Sequence, residues 1–296
     1  MSAVVTPGAA AVVPAPSSRG YWASVGVRVL RDPVFWVAAS IVLALLAMAL
    51  FGPWIAPADP QSSSMLSRLK PIGTEGHPLG TDELGRDLLS RLIVGARLSL
   101  FMGITPVILA FVIGSAIGIL AGYAGGLTNT AIMRTIDVFY AFPSVLLAIA
   151  LSGALGAGIF NSLLSLTIVF IPPIARVAES VTTQLRARDF VEAARASGAS
   201  AFTIVRVHVL GNALGPIFVY ATSLIAVAMI LASGLSFLGL GVKPPEPEWG
   251  LMLNTLRTAI YTQPWIAALP GVMIFITSIA FNTLSDGLRS AMDVKQ

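Results

Sequence analysis

Six stretches of this chain run for about twenty residues with scarcely a charge, and no other feature limits its fold as much. They extend from Val34 to Ala56, from Leu98 to about Gly122, from about Ile136 through Phe142-Pro143 to Leu155, from Phe160 to about Ala178, from Ile217 to Leu240, and from Trp265 to Leu284. A hydrocarbon core of about 30 Å is crossed by roughly 20 mostly apolar helical residues, so each window is long enough to span a bilayer. Lipid offers no partner to backbone N–H and C=O groups, and helices satisfy their own. The predicted fold is therefore an all-α membrane protein with six transmembrane helices. Composition agrees, because 56% of the residues are hydrophobic and 11% charged, whereas a soluble chain averages roughly 25% charged. Prolines and glycines inside several windows would break a soluble helix, but neighbouring helices in a bundle take up the freed backbone groups.

Lys and Arg are retained in cytoplasmic loops, which orients the chain. Six crossings put both termini on one side. With both inside, the cytoplasmic segments hold Arg19, Arg28, Arg31, Arg134, Arg176, Arg186, Arg188, Arg195, Arg206, Arg289 and Lys295, eleven of the eighteen basic residues. Of the seven outside, five sit in the long loop between Pro57 and Arg97, beside Asp59, Glu75, Asp82, Glu83 and Asp87. The expected organisation is a cytoplasmic N-terminal tail over 1–33, a first span over 34–56, an outer loop over 57–97, a membrane domain over 98–286 with a cytoplasmic loop at 180–212, and a cytoplasmic tail over 287–296. This describes a multi-pass protein of the cytoplasmic membrane. The first twenty residues carry no charge before Arg19 and read as a disordered tail rather than a signal peptide.

Several functions are excluded by what the sequence lacks. Cysteine is absent, which removes disulfides, thiolate metal sites and a cysteine nucleophile. A phosphate-binding loop needs Gly-Lys followed by Ser or Thr, yet Lys70, Lys243 and Lys295 follow Leu69, Val242 and Val294, so the chain is not itself an ATPase. His77 and His208 fall on opposite sides of the membrane, which leaves no paired metal site. Ion-coupled carriers bury carboxylates at mid-membrane depth, whereas Asp137, Glu179 and Asp286 fall at span ends. A secondary carrier is thus the rival reading, and Ser233 and Ser236 lack the nearby base that an intramembrane hydrolase needs. The net charge of +4 is interrupted by apolar runs rather than laid out as a stripe, so membrane lipid and not nucleic acid is the expected partner.

Between the fourth and fifth windows lies TTQLRARDFVEAARASGASAFTIVRVHVLGNALGPI, too polar to span and too patterned for a linker. It predicts two short helices. Gln184 to Ser197 consists of good helix formers, Gly198 sits where a left-handed cap would end it, and Ser200 can begin the second. Ala193, Ala194 and Gly198 are small enough for close backbone approach, and Phe190 offers a bulky anchor. Glu192 lies four residues after Arg188 and three before Arg195, placed to pair within the helix or to reach a partner.

The spacing of Glu192, Ala193, Ala194 and Gly198 resembles the cytoplasmic loop signature of binding-protein-dependent ABC importer permeases. That pattern continues with an apolar-x-Leu-Pro element, where this chain has His208, Val209, Leu210 and Gly211. The histidine fits the dipeptide and oligopeptide branch, while glycine stands in place of the proline. His77 to Leu100 and Gly234 to Leu253 resemble further segments of the same branch. The resemblance implies a type I importer permease fold and no resident cofactor. It implies as partners a homologous second permease, cytoplasmic ATPase subunits that receive the loop helix, and an external substrate-binding protein. Short peptides would be the cargo, with nickel or another small solute as the alternative.

Other residues carry weaker expectations. Gly114, Gly118 and Gly122 recur at four-residue spacing and suit a close helix contact, inside the chain or with a partner permease. Pro172-Pro173 interrupts the fourth window, as irregular backbone does where it lines a cavity. Asn161 and Asn282 are neutral groups that could hold a peptide backbone along the pathway. Thr81 or Asp82 could cap an outer helix with Leu84, Leu88, Leu92 and Ile93 on one face and Arg86, Asp87 and Arg91 on the other. Arg86 and Asp87, with Pro245 and Trp249 of the stiff KPPEPEWG loop, are the candidate contacts for an outer partner.

Overall fold

The computed structural model describes residues 21–292, in which every regular element is a helix. The tail over 1–20 and residues 293–296 lie outside the described residues. Helix α1 (Tyr21–Arg31) meets α2 (Pro33–Ile55) at Asp32, whose Oδ1 accepts from the N–H groups of Val34 and Phe35 at 2.9 and 3.3 Å. Pro33 opens α2 where its missing N–H costs nothing. Then follow α3 (Leu88–Ala124), α4 (Gly126–Tyr140), α5 (Ser144–Leu155), α6 (Ile159–Arg186), α7 (Asp189–Ala196), α8 (Ala201–Phe237), α9 (Trp249–Thr255) and α10 (Pro264–Met292).

Five of these, α2, α3, α6, α8 and α10, are each long and apolar enough to cross a membrane. The third window is different, because α4 and α5 meet at an angle of 85° and make a sixth crossing only as one bent span. The cause is local: the ring of Pro143 removes an N–H donor and drives Phe142 out of helical geometry, so the helix stops at Tyr140.

Two apolar cores hold the bundle. One joins α3, α5, α6 and α8 through residues such as Val107, Leu166, Ile174 and Ile217, and the other joins α2, α3, α8, α9 and α10 through Leu88, Met229, Trp249 and Ile266. Helices α3 and α8 serve both. Many large apolar side chains remain outside, among them Leu43, Val112, Phe160 and Phe275, as expected where lipid and not water covers the surface.

The glycine ridge of α3 packs within the chain. A Cβ on Gly118 would overlap the Ala175 carbonyl oxygen and the Ala178 side chain of α6, and one on Gly122 would lie 2.7 Å from the Glu179 carbonyl oxygen. The ridge therefore serves the α3–α6 contact, and no second permease is needed to account for it.

Candidate functional site

The connection between α6 and α8 holds one of the two short helices expected, the second being the first turns of α8 itself. Gln184 and Leu185 belong to the last turn of α6, which runs to Arg186. Only after a break at Ala187 does α7 begin, eight residues long, with Asp189 and Glu192 in its first turn and Arg195 in its last, both favourable to its dipole. Gly198 ends it. The Gly198 N–H donates to the Arg195 carbonyl at 3.0 Å and the Ala199 N–H to the Ala194 carbonyl at 3.1 Å, a Schellman pair that requires the φ of 81° found at Gly198. Ser200 then caps α8, its Oγ accepting from the Thr203 N–H at 3.2 Å.

Within α7 the fully buried Val191 is the residue that pins the helix to the bundle, with Ala194 half-buried beside it. Phe190, Glu192, Ala193 and Gly198 face out. Phe190 is 42% exposed and its ring centroid lies 6.2 Å from that of His208. Glu192 makes no ion pair among the described residues. The glycine at 211 does not break the chain. A π-helical turn over Ile204–Val209, in which the Leu210 N–H reaches the Val205 carbonyl, carries α8 through the region without interruption.

Pro172 and Pro173 do not interrupt their span, since α6 runs unbroken from Ile159 to Arg186, but they line a cavity of about 270 Å³ between the α4–α5 bend, α6 and α8. Phe139, Tyr140, Phe142 and Tyr220 give it an aromatic wall. The other pathway candidates lie elsewhere. Asn161 donates to the carbonyls of Leu155 and Gly156 at 2.8 and 2.9 Å, closing the end of α5, and Asn282 is exposed on α10 away from the cavity. Next to the aromatic cavity stands an ion pair that sequence reasoning missed, Arg176 of α6 with Asp137 of α4, and the guanidinium carbon lies 5.1 Å from the centroid of the Tyr140 ring. A charge in each of two apolar windows was visible, but nothing in the sequence paired residues 39 positions apart.

At the opposite end of the bundle, residues 57–87 fold into a cap. No helix starts at Thr81 or Asp82, because Gly80 and Gly85 have φ of 78° and 72° and turn the chain tightly. Asp87 is the cap of α3 instead, accepting from the Ser90 N–H at 2.8 Å and from the Ser90 hydroxyl at 2.6 Å. The His77 Nδ1 lies 3.0 Å from the other carboxylate oxygen of Asp87. Asp82 binds Arg86 at 2.7 Å and Arg91 at 3.2 Å, and Arg91 donates to the carbonyls of Pro60 at 3.0 Å and Pro245 at 3.5 Å.

Three of the four residues expected to touch an outer partner are therefore interior. Arg86 and Asp87 are spent on this network, and Trp249 is fully buried. Pro245 alone is exposed. Glu248, 1% exposed, accepts from the N–H groups of Gly250 and Leu251, each at 2.8 Å, and so caps α9. Burial pushes its carboxyl above the ordinary range, against the opposing pull of those hydrogen bonds.

Residues 114–295 match the family described as binding-protein-dependent transport system inner membrane component, and residues 20–71 match the N-terminal TM domain of oligopeptide transport permease C. The glutathione transport system permease protein GsiD of Pectobacterium atrosepticum is 40% identical over 94% of this chain and 93% of its own length. The di/tripeptide transport system permease protein DppC of Pseudomonas aeruginosa is 43% identical over 86% of each chain, and the probable D,D-dipeptide transport system permease protein DdpC of Escherichia coli is 39% identical over 89% of this chain and 88% of its own. Among solved structures, the inward-facing MetNI methionine ABC transporter has a chain that superposes with a TM-score of 0.55 at 20% identity, covering 68% of this chain and 95% of that one.

Proposed function

The chain belongs to the binding-protein-dependent transport system inner membrane components, in the branch with an oligopeptide permease C N-terminal domain, and from that membership we propose that it moves short peptides inward by alternating access, driven by a separate ATPase. It is an inner membrane component and an ABC importer permease. In the reading advanced here both termini and α7 face the cytosol, a homologous permease completes the pathway, and an external binding protein delivers cargo to the capped end.

The observation that carries this reading is α7. A short helix with favourable end charges is held to the bundle by Val191 and closed rigidly at Gly198, and it presents Phe190, Glu192 and Ala193 to solvent between two long membrane helices. An interfacial helix would instead lay a broad Leu or Phe face into lipid headgroups. An element fixed at both ends and exposed along one side is suited to pass the closure of a docked ATPase to α6 and α8. Peptide cargo is supported by the relatives, whose names specify glutathione, di/tripeptide and D,D-dipeptide transport.

The test is uptake of labelled dipeptide into vesicles that hold the permease pair, the ATPase and the binding protein. Uptake should require internal ATP and survive collapse of the ion gradients. Uptake by this chain alone, or its arrest when the gradient collapses at constant ATP, would reject the reading in favour of a secondary carrier.

A further inference from the structure

Below the aromatic cavity, a second cleft of about 480 Å³ is lined by Asn129, Asp137, Arg176, Glu179 and Ser180. The two spaces share a boundary at Tyr140, which belongs to the cavity wall and lies under the Arg176 guanidinium. Among the described residues this is the one ion pair that joins two membrane helices, the remaining pairs all lying at the cap. Its side chains are also open, with relative exposures of 49% for Arg176 and 35% for Asp137. At the end of the spans where the charge pattern puts Arg176 and Asp137, a half-exposed ion pair opens to water or to a partner and not to acyl chains.

We propose that Arg176 and Asp137 form a station for a zwitterionic solute, Arg176 taking a carboxylate and Asp137 an ammonium group. This deepens the peptide-importer reading and rests on it. The chemistry follows from exchange. In the empty state each side chain neutralises the other. A solute with one charge of each sign can separate them and replace both partners, so no charge is left bare at any point. Such an exchange is nearly balanced, which is what a transient site needs if cargo is to leave as readily as it arrives. A solute with only one of the two charges would leave either the guanidinium or the carboxylate without its partner and forfeit the attraction that the pair now has. Glu179 stays occupied meanwhile, accepting from Asn129 Nδ2 at 2.7 Å and from the Thr183 hydroxyl at 3.1 Å. The aromatic wall next door would receive an apolar side chain. A free dipeptide carries all of these groups. A zwitterionic lipid headgroup carries both charges too, and the experiment separates the two.

Ser180 is exposed at the cleft, and the chain has no cysteine. In the complete complex without its binding protein, Ser180→Cys is labelled with a maleimide and read on the band of this chain. Ala-Ala at about four times its dissociation constant should slow labelling about fivefold, whereas N-acetyl-Ala-Ala and Ala-Ala-amide at the same concentration should not. Adding Arg176→Gln or Asp137→Asn should abolish protection, and Ser63→Cys at the cap should be indifferent throughout. Unchanged labelling in Ala-Ala, equal protection by the blocked peptides, or protection by phosphatidylethanolamine in place of Ala-Ala would each overturn the station. ATP-driven dipeptide uptake by the Ser180→Cys complex, with the binding protein restored, tests the importer reading separately, so a competent importer without protection rejects the station alone.

Discussion

The indole Nε1 of Trp249 donates to the backbone carbonyl of Leu92 at 3.0 Å, joining α9 to α3 across 157 positions of the chain. The Trp249 N–H also donates to Ser99 Oγ, at 3.0 Å. Trp249→Phe keeps most of the volume and loses the indole bond, so it should destabilise by about 1 kcal/mol. Trp249→Ala adds a cavity and should cost about 3–5 kcal/mol. Thermal melting of the solubilised complex checks the ordering, and a tryptophan that could be replaced by alanine without a shift would contradict the burial.

Two glycines in long helices should respond oppositely to alanine. Gly211 has open space where a Cβ would go, so Gly211→Ala should stabilise α8 by about 0.5–1 kcal/mol. At Gly118 the added methyl meets the backbone of α6, and the two helices must part; overpacking of this kind costs about 1–3 kcal/mol. Melting curves of the two variants measured side by side decide the matter.

The lack of cysteine makes accessibility mapping clean. In intact cells or oriented vesicles, Ser197→Cys beside α7 should react with a membrane-impermeant thiol reagent only from the cytosolic side and Ser63→Cys only from the other. Both positions are exposed in the structure. The opposite pattern would invert the orientation and remove α7 from reach of an ATPase.

Docking of α7 predicts a separation of hydrolysis from transport. Ala193→Trp puts bulk on the exposed face and should leave membrane insertion intact while abolishing substrate-stimulated ATP hydrolysis and uptake. Gly198→Asn tolerates the left-handed backbone and should retain most activity, whereas Gly198→Arg should lose it. Arg289→Ala, exposed on the last turns of α10, should be nearly silent. Normal uptake by Ala193→Trp would exclude docking through this face.

Glu248 gives the cap a pH dependence with a definite sign. Because burial raises its folded-state pKa above the ordinary value of 4.5, the folded form holds the proton more tightly than the unfolded form. Its contribution to stability is therefore greatest below the unfolded pKa and is lost as pH rises through the folded one. Melting temperature should fall across that interval in the native chain, and Glu248→Gln should flatten that part of the profile.

The windows of the sequence located the membrane helices because apolar length is a local property. What they missed was set by distant partners. Helix α3 begins ten residues before its window because Arg91 and Arg97 interrupt the apolar run, and Arg91 is tolerated only by Asp82 and by the carbonyls of Pro60 and Pro245, which lie 31 and 154 positions away. Pro143 marked a break in the third window without giving its angle. The end of α7 was legible, since Gly198 acts through its own backbone, but its start was not, because the helix formers before Ala187 continue α6. Trp249 read as an interface residue for want of any sign that Leu92 would supply its acceptor.

At 1.5 Å per residue, α3 with its 37 residues is about 55 Å long, nearly twice a hydrocarbon core of about 30 Å. The surplus cannot be removed by ordinary tilt. Its first ten residues, Leu88 to Arg97, hold the charges, so about 15 Å of the helix stands clear of the acyl chains on the capped side and lifts the folded loop with it. A protein arriving there would meet a platform raised above the lipid headgroups. Changes in bilayer thickness should accordingly act on the bundle through its apolar girdle and leave the height of that platform above the girdle unchanged.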